Sequence, residues 1–322
     1  MKNIVFGATG FIGSNLANSL IKKEETIAFV RKSSNTKILN PKIKIMYGDL
    51  NNINSIQKII QDNITIFNVS GLLGGPNISY KQLYNANVKC TENILKASKN
   101  KKIKRFIHFS SVAAIGNPSS IANEETKCNP ISGYDKTKYE SEIIVKKYCK
   151  QYNISYTIVR PSFVYGPGEI KNKARMFTYI KKGIFRIIGN GNNLLSVIYI
   201  ENLIHAINLI MKNKKSINKI YILADPTITM KEFVNAIAKT QNVKYPKHIS
   251  LKSAILIADI FSLINKIIKI PSPLTKDRIR TLTLNRHFDT TKAIKELNFK
   301  PVINLEEAMK KTVKWYKNQG II

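Results

Sequence analysis

Short apolar runs alternate along the chain with longer segments in which apolar residues recur every three or four positions. Apolar runs that end in glycine or polar residues predict buried strands, and the wider spacing predicts helices with one buried face. The predicted strands are residues 4–6, 27–31, 43–47, 66–69, 106–109, 156–159 and 221–223. The predicted helices are residues 12–22, 53–61, 81–98, 134–152, 173–182, 200–211, 231–240, 251–270 and 305–318.

Strict alternation of strands and helices in the first half predicts an α/β fold with a doubly wound parallel sheet. A cluster of prolines and glycines between Pro161 and Gly168 interrupts the pattern and suggests a boundary. We therefore expect a first domain over residues 1–165 and a smaller α/β part over 166–322. Segments near 195–225 are expected to return to the first domain.

Composition narrows the functional classes. The 322 residues carry a formal net charge of +32, but the lysines are dispersed and form no basic arm, so nucleic acid is not an expected partner. Cys90, Cys128 and Cys149 lack metal-ligand spacing, so no metal site is expected. Their odd number suits a protein of the reducing cytoplasm. Lysines and an aspartate interrupt the apolar segment 251–270, which favours an amphipathic helix over a membrane span. A strand beginning at Asn3 leaves no room for a signal peptide.

A glycine turn follows the first strand directly. Gly7 allows a tight bend, Gly10 allows a close approach of the backbone to a pyrophosphate, and Gly13 lets the next helix lie against the strand. The residues predicted to bind a dinucleotide at this turn are Gly7, Thr9, Gly10, Phe11, Ile12 and Gly13. A glycine-rich turn without a ligand is the alternative. With this turn, residues 1–165 are the expected dinucleotide-binding domain and residues 166–322 the expected substrate-binding part.

Three further side chains predict acid–base chemistry. Tyr134 and Lys138 are one helical turn apart, and Ser111 follows the strand 106–109, whose carboxyl end opens on the same crevice as the glycine turn. A hydroxyl, a phenol and an ammonium beside a nicotinamide can move a proton and a hydride together. The Lys138 charge and the oxidised nicotinamide are expected to lower the phenol pKa towards neutrality, so that Tyr134 acts as acid or base. Each residue alone could be structural.

The motifs resemble those of the extended short-chain dehydrogenases/reductases, in the NAD-dependent epimerase/dehydratase and 3β-hydroxysteroid dehydrogenase group. The matching segments are GATGFIG at 7–13, GDL at 48–50, NV at 87–88, FSSVAAIG at 109–116, YDKTK at 134–138, RPSFVYGPG at 160–168, GNGNNLLSVIYIENL at 189–203 and DTTKAIKELNFKP at 289–301. The resemblance implies a Rossmann-type fold, a catalytic set of Ser111, Tyr134 and Lys138, cofactor contacts from Asp49 and Leu50, and a supporting role for Asn87. Lys138 would also touch the cofactor. It further implies a homodimer, paired through the helices 81–98 and 134–152.

The identity of the cofactor depends on Arg31, which closes the second strand. An acidic residue there would bind the ribose of NAD, whereas an arginine suits the 2′-phosphate of NADP, so NADP is favoured over NAD. The alternative is that Arg31 stacks on adenine while NAD binds.

The resemblance leaves three functions open. One is an epimerase or 4-ketoreductase of a nucleotide-sugar; another is a reductase of an apolar alcohol, like the 3β-hydroxysteroid dehydrogenases or dihydroflavonol reductases. The remaining one is a non-catalytic NAD(P)-binding protein. Phe163 and Leu195 replace an asparagine and an arginine that many nucleotide-sugar enzymes carry, whereas the cationic chain suits an anionic nucleotide.

Overall fold

Seven parallel strands form the central sheet of the protein. The computed structural model describes residues 2–75, 77–118, 120–170, 173–268 and 274–322. Numbered along the whole chain, the strands of this sheet are β1 (Lys2–Phe6), β2 (Glu25–Val30), β3 (Lys44–Tyr47), β4 (Ile64–Asn68), β5 (Arg105–Phe109), β6 (Tyr156–Pro161) and β11 (Lys219–Leu223). Their order across the sheet is β11-β6-β5-β4-β1-β2-β3. All seven predicted strands are present, and the predicted fold class is confirmed.

The strand order determines where the ligand crevice lies. The chain runs outward from β1 through β2 to β3, then returns to β4 on the other side of β1 and continues outward. A parallel sheet opens a crevice at the carboxyl ends of its strands where the direction of winding reverses, here between β1 and β4. The turns after β1 and β4 therefore face each other.

Helices follow the strands of this first unit, which comprises Met1–Val164, Ile200–Ala224 and Phe288–Val302. Its helices are α1 (Phe11–Leu20), α2 (Ile53–Gln57), α3 (Tyr80–Tyr84), α4 (Cys90–Ala97), α5 (Gly133–Gln151), α7 (Ile200–Lys212) and α11 (Thr291–Leu297). Fully buried side chains from the sheet and from α4 and α5, among them Phe106, Ile94 and Val145, form its core. Burial of such a cluster is the main stabilising contribution to the fold.

The predicted helix 81–98 differs from the structure. The segment contains α3, a π-helical turn at Asn85–Lys89, and α4. A π-helical turn inserts one extra residue into a helix and changes the direction of the side chains that follow it. Apolar periodicity does not reveal such an insertion, because the flanking turns keep the same buried face.

The second unit comprises Tyr165–Tyr199, Asp225–His287 and Ile303–Ile322, and β7 (Phe163–Tyr165) straddles the point where the chain enters it. Its strands are β8 (Arg186–Ile188), β9 (Leu194–Leu195), β10 (Val197–Tyr199), β12 (Ile228–Thr229) and β13 (Lys247–Ile249). Its helices are α6 (Lys173–Lys181), α8 (Met230–Gln241), α9 (Leu251–Ile268), α10 (Lys276–Thr283) and α12 (Leu305–Asn318). Across the described part of the chain, no helix is long and apolar enough to cross a membrane.

Candidate active site

The glycine turn has the geometry that the sequence predicts. Gly7 lies in the left-handed region at φ 82°, and a Cβ atom there would lie 2.7 Å from the backbone nitrogen of Ser70, in the turn after β4. Any side chain at Gly13 would collide with the carbonyl oxygen of Gly7. The two crevice turns therefore touch, and only glycine fits between them.

The start of α1 suits a pyrophosphate. Gly10 occupies the N-cap without a side chain to bind the first amides of the helix, and the first turn contains no acidic residue. Phe11 and Ile12 follow the cap, so their amides belong to the positive end of the helix dipole. A backbone cradle of this kind fits the phosphates of a dinucleotide.

Arg31 and Asp49 lie at the ends of neighbouring strands. Arg31 is exposed directly after β2, and Asp49 is exposed after β3. Burial raises the pKa of the Cys90 thiol to about 11. The Asp49 charge also raises this pKa, and the Arg31 charge lowers it. Both charged groups are therefore close enough to act on the same thiol. Asp49 also accepts hydrogen bonds from the backbone and side-chain amides of Asn51 (2.9 and 3.0 Å), whereas α2 is capped by Asn52. Leu50 packs at the edge of the core, and its carbonyl oxygen accepts a hydrogen bond from Asn93.

Ser111 and Tyr134 are brought together as the sequence predicts. Ser111 follows β5 and begins a short 3-10 turn, with its hydroxyl oxygen accepting from the backbone amide of Ala113 at 3.1 Å. Tyr134 is half-buried in the first turn of α5, and its phenol hydrogen-bonds Ser111. Burial raises the pKa of Tyr134 to about 12, and the hydrogen bond from Ser111 opposes that rise.

Lys138 is buried one turn further along α5. Its contacts do not match the expectation that its charge lowers the Tyr134 pKa. Its ammonium donates to the carbonyl oxygen of Phe109 at the end of β5 (2.6 Å). Burial lowers the pKa of Lys138 to about 8, and the Glu142 charge partly opposes this. In the structure the hydroxyl of Ser111, rather than the charge of Lys138, lowers the phenol pKa. The reason is geometric, because the ammonium is held by a strand-end carbonyl.

Asn87 is buried within the π-helical turn and connects three parts of the site. Its amide oxygen accepts from the backbone amide of Leu72 (2.7 Å), and its amide nitrogen donates to the carbonyl oxygen of Leu72 (3.1 Å) and to the hydroxyl of Thr137 on α5 (3.0 Å). Asn87 thus fixes the segment after β4 against the helix that carries Tyr134 and Lys138.

The segment after β4 is a feature that sequence reasoning missed. A Cβ atom on Gly71 would lie 3.1 Å from the amide oxygen of Asn87 and 3.6 Å from the Lys138 ammonium. A Cβ atom on Gly74 would lie 3.4 Å from the Cβ of Tyr134. The sequence feature that could have indicated this segment is a strand followed by three glycines within five residues.

A buried polar network behind Lys138 was also missed. His108 lies in β5 opposite Asn68 of β4, and its Nδ1 accepts a hydrogen bond from the Asn68 side-chain amide (3.2 Å). Its Nε2 lies 2.9 Å from the hydroxyl of Ser141, which donates to the backbone oxygen of Lys138 (2.7 Å). His108 therefore supports the helix from within the core.

A buried ion pair lies one turn beyond Lys138. The Arg160 guanidinium donates to both carboxylate oxygens of Glu142 (2.9 and 2.8 Å), and the hydroxyl of Ser110 donates to the same carboxylate. Because a buried charge is tolerated only when it is paired and hydrogen-bonded, this pair fixes α5 against β6.

Comparison with known proteins places this arrangement in a family. Residues 3–224 match the model of the NAD dependent epimerase/dehydratase family. The chain is 24% identical to N-acetyl-alpha-D-glucosaminyl-diphospho-ditrans,octacis-undecaprenol 4-epimerase of Escherichia coli O157:H7, over 97% of this chain and 94% of that protein. It is 22% identical to 3 beta-hydroxysteroid dehydrogenase/Delta 5-->4-isomerase of Mycobacterium tuberculosis H37Rv, over 97% of this chain and 90% of that protein. The structure resembles UDP-glucuronic acid 4-epimerase from Bacillus cereus in complex with NAD, with a TM-score of 0.79, 19% identity and 99% of both chains covered.

The chain therefore belongs to the NAD dependent epimerase/dehydratase family. It is an NAD-dependent enzyme of the extended short-chain dehydrogenase/reductase type.

Proposed function

We propose that this enzyme interconverts a secondary alcohol and a ketone on a nucleotide-sugar, as an epimerase or a 4-ketoreductase, with Ser111, Tyr134 and Lys138 as its catalytic residues. The observation that carries the proposal is the phenol of Tyr134 hydrogen-bonded to Ser111, one helical turn from the buried ammonium of Lys138. Two glycines of the segment after β4 adjoin this set, Gly71 beside the Lys138 ammonium and Gly74 beside Tyr134.

The chain's own residues would divide the proton chemistry among them. NAD(P), when bound, supplies the hydride acceptor and donor. Tyr134 takes the proton from the substrate hydroxyl or returns it to the ketone, and Ser111 holds the reacting oxygen by a hydrogen bond. Lys138, whose ammonium is held by the carbonyl oxygen of Phe109, would contact the bound cofactor.

Replacement of Tyr134 by phenylalanine tests the catalytic assignment. Tyr134→Phe removes the proton-transferring oxygen but keeps the ring, so we expect turnover to fall by about 10²-fold or more while cofactor affinity stays nearly unchanged. Activity assays and cofactor titration of the two proteins measure this. Near-wild-type turnover in the variant would contradict the mechanism.

Within this NAD-dependent family we propose that the chain prefers NADP(H), because Arg31 is exposed at the end of β2, where a 2′-phosphate would lie. Arg31→Asp should move the preference from NADPH towards NADH, and an unchanged preference would show the proposal to be wrong. Mass spectrometry of nucleotide released from protein purified without added cofactor gives an independent test. Stoichiometric NAD would indicate an epimerase cycle that retains its cofactor.

A second candidate is an apolar alcohol, favoured by the likeness to 3 beta-hydroxysteroid dehydrogenases and by Phe163, which stands where an asparagine is expected in nucleotide-sugar enzymes. The relative from E. coli is named for an undecaprenol-linked substrate. A lipid-linked sugar diphosphate is therefore a further candidate substrate. Thermal stabilisation of the protein by UDP supports the nucleotide-sugar, since a ligand of the native state raises its stability. Stabilisation by a 3β-hydroxysteroid without any effect of UDP supports the apolar alcohol.

We also propose a cytoplasmic homodimer, formed through the segment 81–98, which contains most of α3 and all of α4, and through α5. Tyr84 and Ile143 on these helices are large hydrophobic residues that are exposed in the single chain. Light scattering of the purified protein tests this proposal, and the mass of a single chain would contradict it.

A further inference from the structure

Helix α9 buries small apolar residues and exposes large ones. Ala254 and Ala258 are buried in a cluster with Ile188 and Ile279, so small residues make the contact with the second unit. The opposite face carries Leu256, Ile260 and Leu263, whose exposed fractions are 63%, 48% and 61%. Their spacing of four and three residues aligns them along one side of the helix, and we call them the α9 stripe. A water-facing helix side normally carries polar residues, so the stripe indicates a surface with a partner.

The surroundings of the stripe are strongly basic. Between Val243 and Arg286 the sequence has nine lysines and arginines and two aspartates. Lys247, Lys252 and Arg280 are exposed on β13, α9 and α10. Asp259 is the one acidic residue in the sequence of α9, and its carboxylate lies 2.8 Å from the ammonium of Lys276. The neighbourhood of the stripe therefore carries a positive charge that an anionic partner would neutralise.

We propose that α9 docks this protein on an anionic lipid bilayer, with the α9 stripe inserted at the level of the acyl chains and the flanking cations on the headgroups. A helix with large apolar residues on its exposed face and cations beside them is the composition of a membrane-surface helix. The docked helix lies in the plane of the membrane and does not cross it, in keeping with the finding on membrane spans.

Charge distinguishes this partner from a second copy of the chain. Two α9 helices packed through their stripes would bring two sets of basic residues together, and like charges at an interface oppose association. A bilayer with anionic headgroups offers both negative charge for the lysines and arginines and an apolar acyl-chain region for the α9 stripe. Docking goes beyond the proposed catalytic function, because it requires neither Tyr134 nor a cofactor.

Vesicle flotation of the full chain tests the proposal. We expect the protein to float with vesicles of phosphatidylcholine mixed with phosphatidylglycerol, to float less with phosphatidylcholine alone, and to be released as salt is raised. The double variant Leu256→Gln, Leu263→Gln should lower partitioning on the mixed vesicles by about tenfold or more, because two inserted side chains become polar. Both positions face solvent, so the variant should fold.

The matched control is Ile294→Gln with Val302→Gln, which replaces two exposed hydrophobic residues outside α9 (47% and 56% exposed) and should partition like the wild type. A wild-type protein that stays out of the mixed vesicles overturns the proposal, as does a Leu256, Leu263 variant that floats like the wild type. Light scattering supplies a further contradictory outcome: a wild-type dimer that this variant converts to a monomer would assign the stripe to a second copy.

Discussion

At the scale of single residues, the site depends on polar groups placed where burial changes their acid–base behaviour. Burial and the Lys138 charge lower the pKa of His108 well below 6.5. The Asn68 amide can only donate to Nδ1, so we assign the proton of the neutral imidazole to Nε2, from which it is donated to Ser141. His108 is thus a neutral connection between β4, β5 and the backbone of Lys138.

The depressed pKa of His108 predicts a dependence of stability on pH. Below about pH 6.5 the unfolded chain protonates this histidine and the folded chain does not, so the unfolded state binds more protons. The free energy of unfolding should therefore fall with decreasing pH, by up to about 1.4 kcal/mol per pH unit from this group. Denaturant unfolding of wild type and His108→Gln over this range measures the effect as a difference in slope. Equal slopes would mean that His108 is protonated in the folded protein.

At the scale of elements, α5 places the reacting phenol through its first turn. The hydroxyl of Ser132 accepts from the amide of Asp135 (3.1 Å), and the carboxylate of Asp135 accepts from the amide of Ser132 (3.0 Å). This capping box fixes the turn that contains Tyr134. Helix α8 in the second unit has the same device, built from Thr229 and Glu232.

The two capping boxes allow a matched test of the role of α5. Ser132→Ala and Thr229→Ala should each cost about 1 kcal/mol of unfolding free energy, since each removes one cap. Only Ser132→Ala should also lower kcat, because it loosens the turn that carries Tyr134, and Ser132→Asp should restore much of both. Denaturant unfolding and steady-state kinetics report the two effects separately. Equal kcat losses in the two alanine variants would contradict a specific role for the α5 cap.

The sequence predicts elements better than it predicts contacts. The central strands were found because each is a continuous apolar run, and Tyr134 and Lys138 share a helix face by spacing alone. The π-helical turn at Asn85–Lys89 was not found, because it changes side-chain direction without changing composition. The hydrogen bond from Lys138 to Phe109 was missed for another reason: it joins residues far apart in sequence, and only the packing of α5 on β5 decides it.

Short elements of the second unit were missed as well. The strands β8, β9, β12 and β13 have two or three residues each, too few for a period to be visible. Helix α9 was predicted as amphipathic, but the sequence did not reveal that its small residues face inward. Burial of Ala254 beside an exposed Leu256 is a property of the packed unit rather than of the helix pattern.

At the scale of the whole molecule, the net charge of +32 acts against the compact state. Like charges repel one another across the surface, and folding concentrates them. Ion pairs of the described surface, such as Lys310 with Glu306, are largely exposed and so offset little of this repulsion. Salt should therefore stabilise the protein, because it screens charges that lie more than about 10 Å apart at 0.1 M ionic strength.

Substitution of two exposed lysines separates this repulsion from other effects of salt. Lys99 and Lys101 lie in the connection between α4 and β5, and both side chains are exposed. At low ionic strength the double variant Lys99→Glu, Lys101→Glu should melt a few degrees above the wild type, on the order of 1 kcal/mol in stability. Lys99→Gln, Lys101→Gln changes half as much charge and should give about half the gain. Both gains should vanish in high salt, since screening removes the repulsion that the substitutions relieve. A gain that persists in high salt, or one equal in the two variants, would mean that local helix or turn effects rather than net charge set the stability of this basic chain.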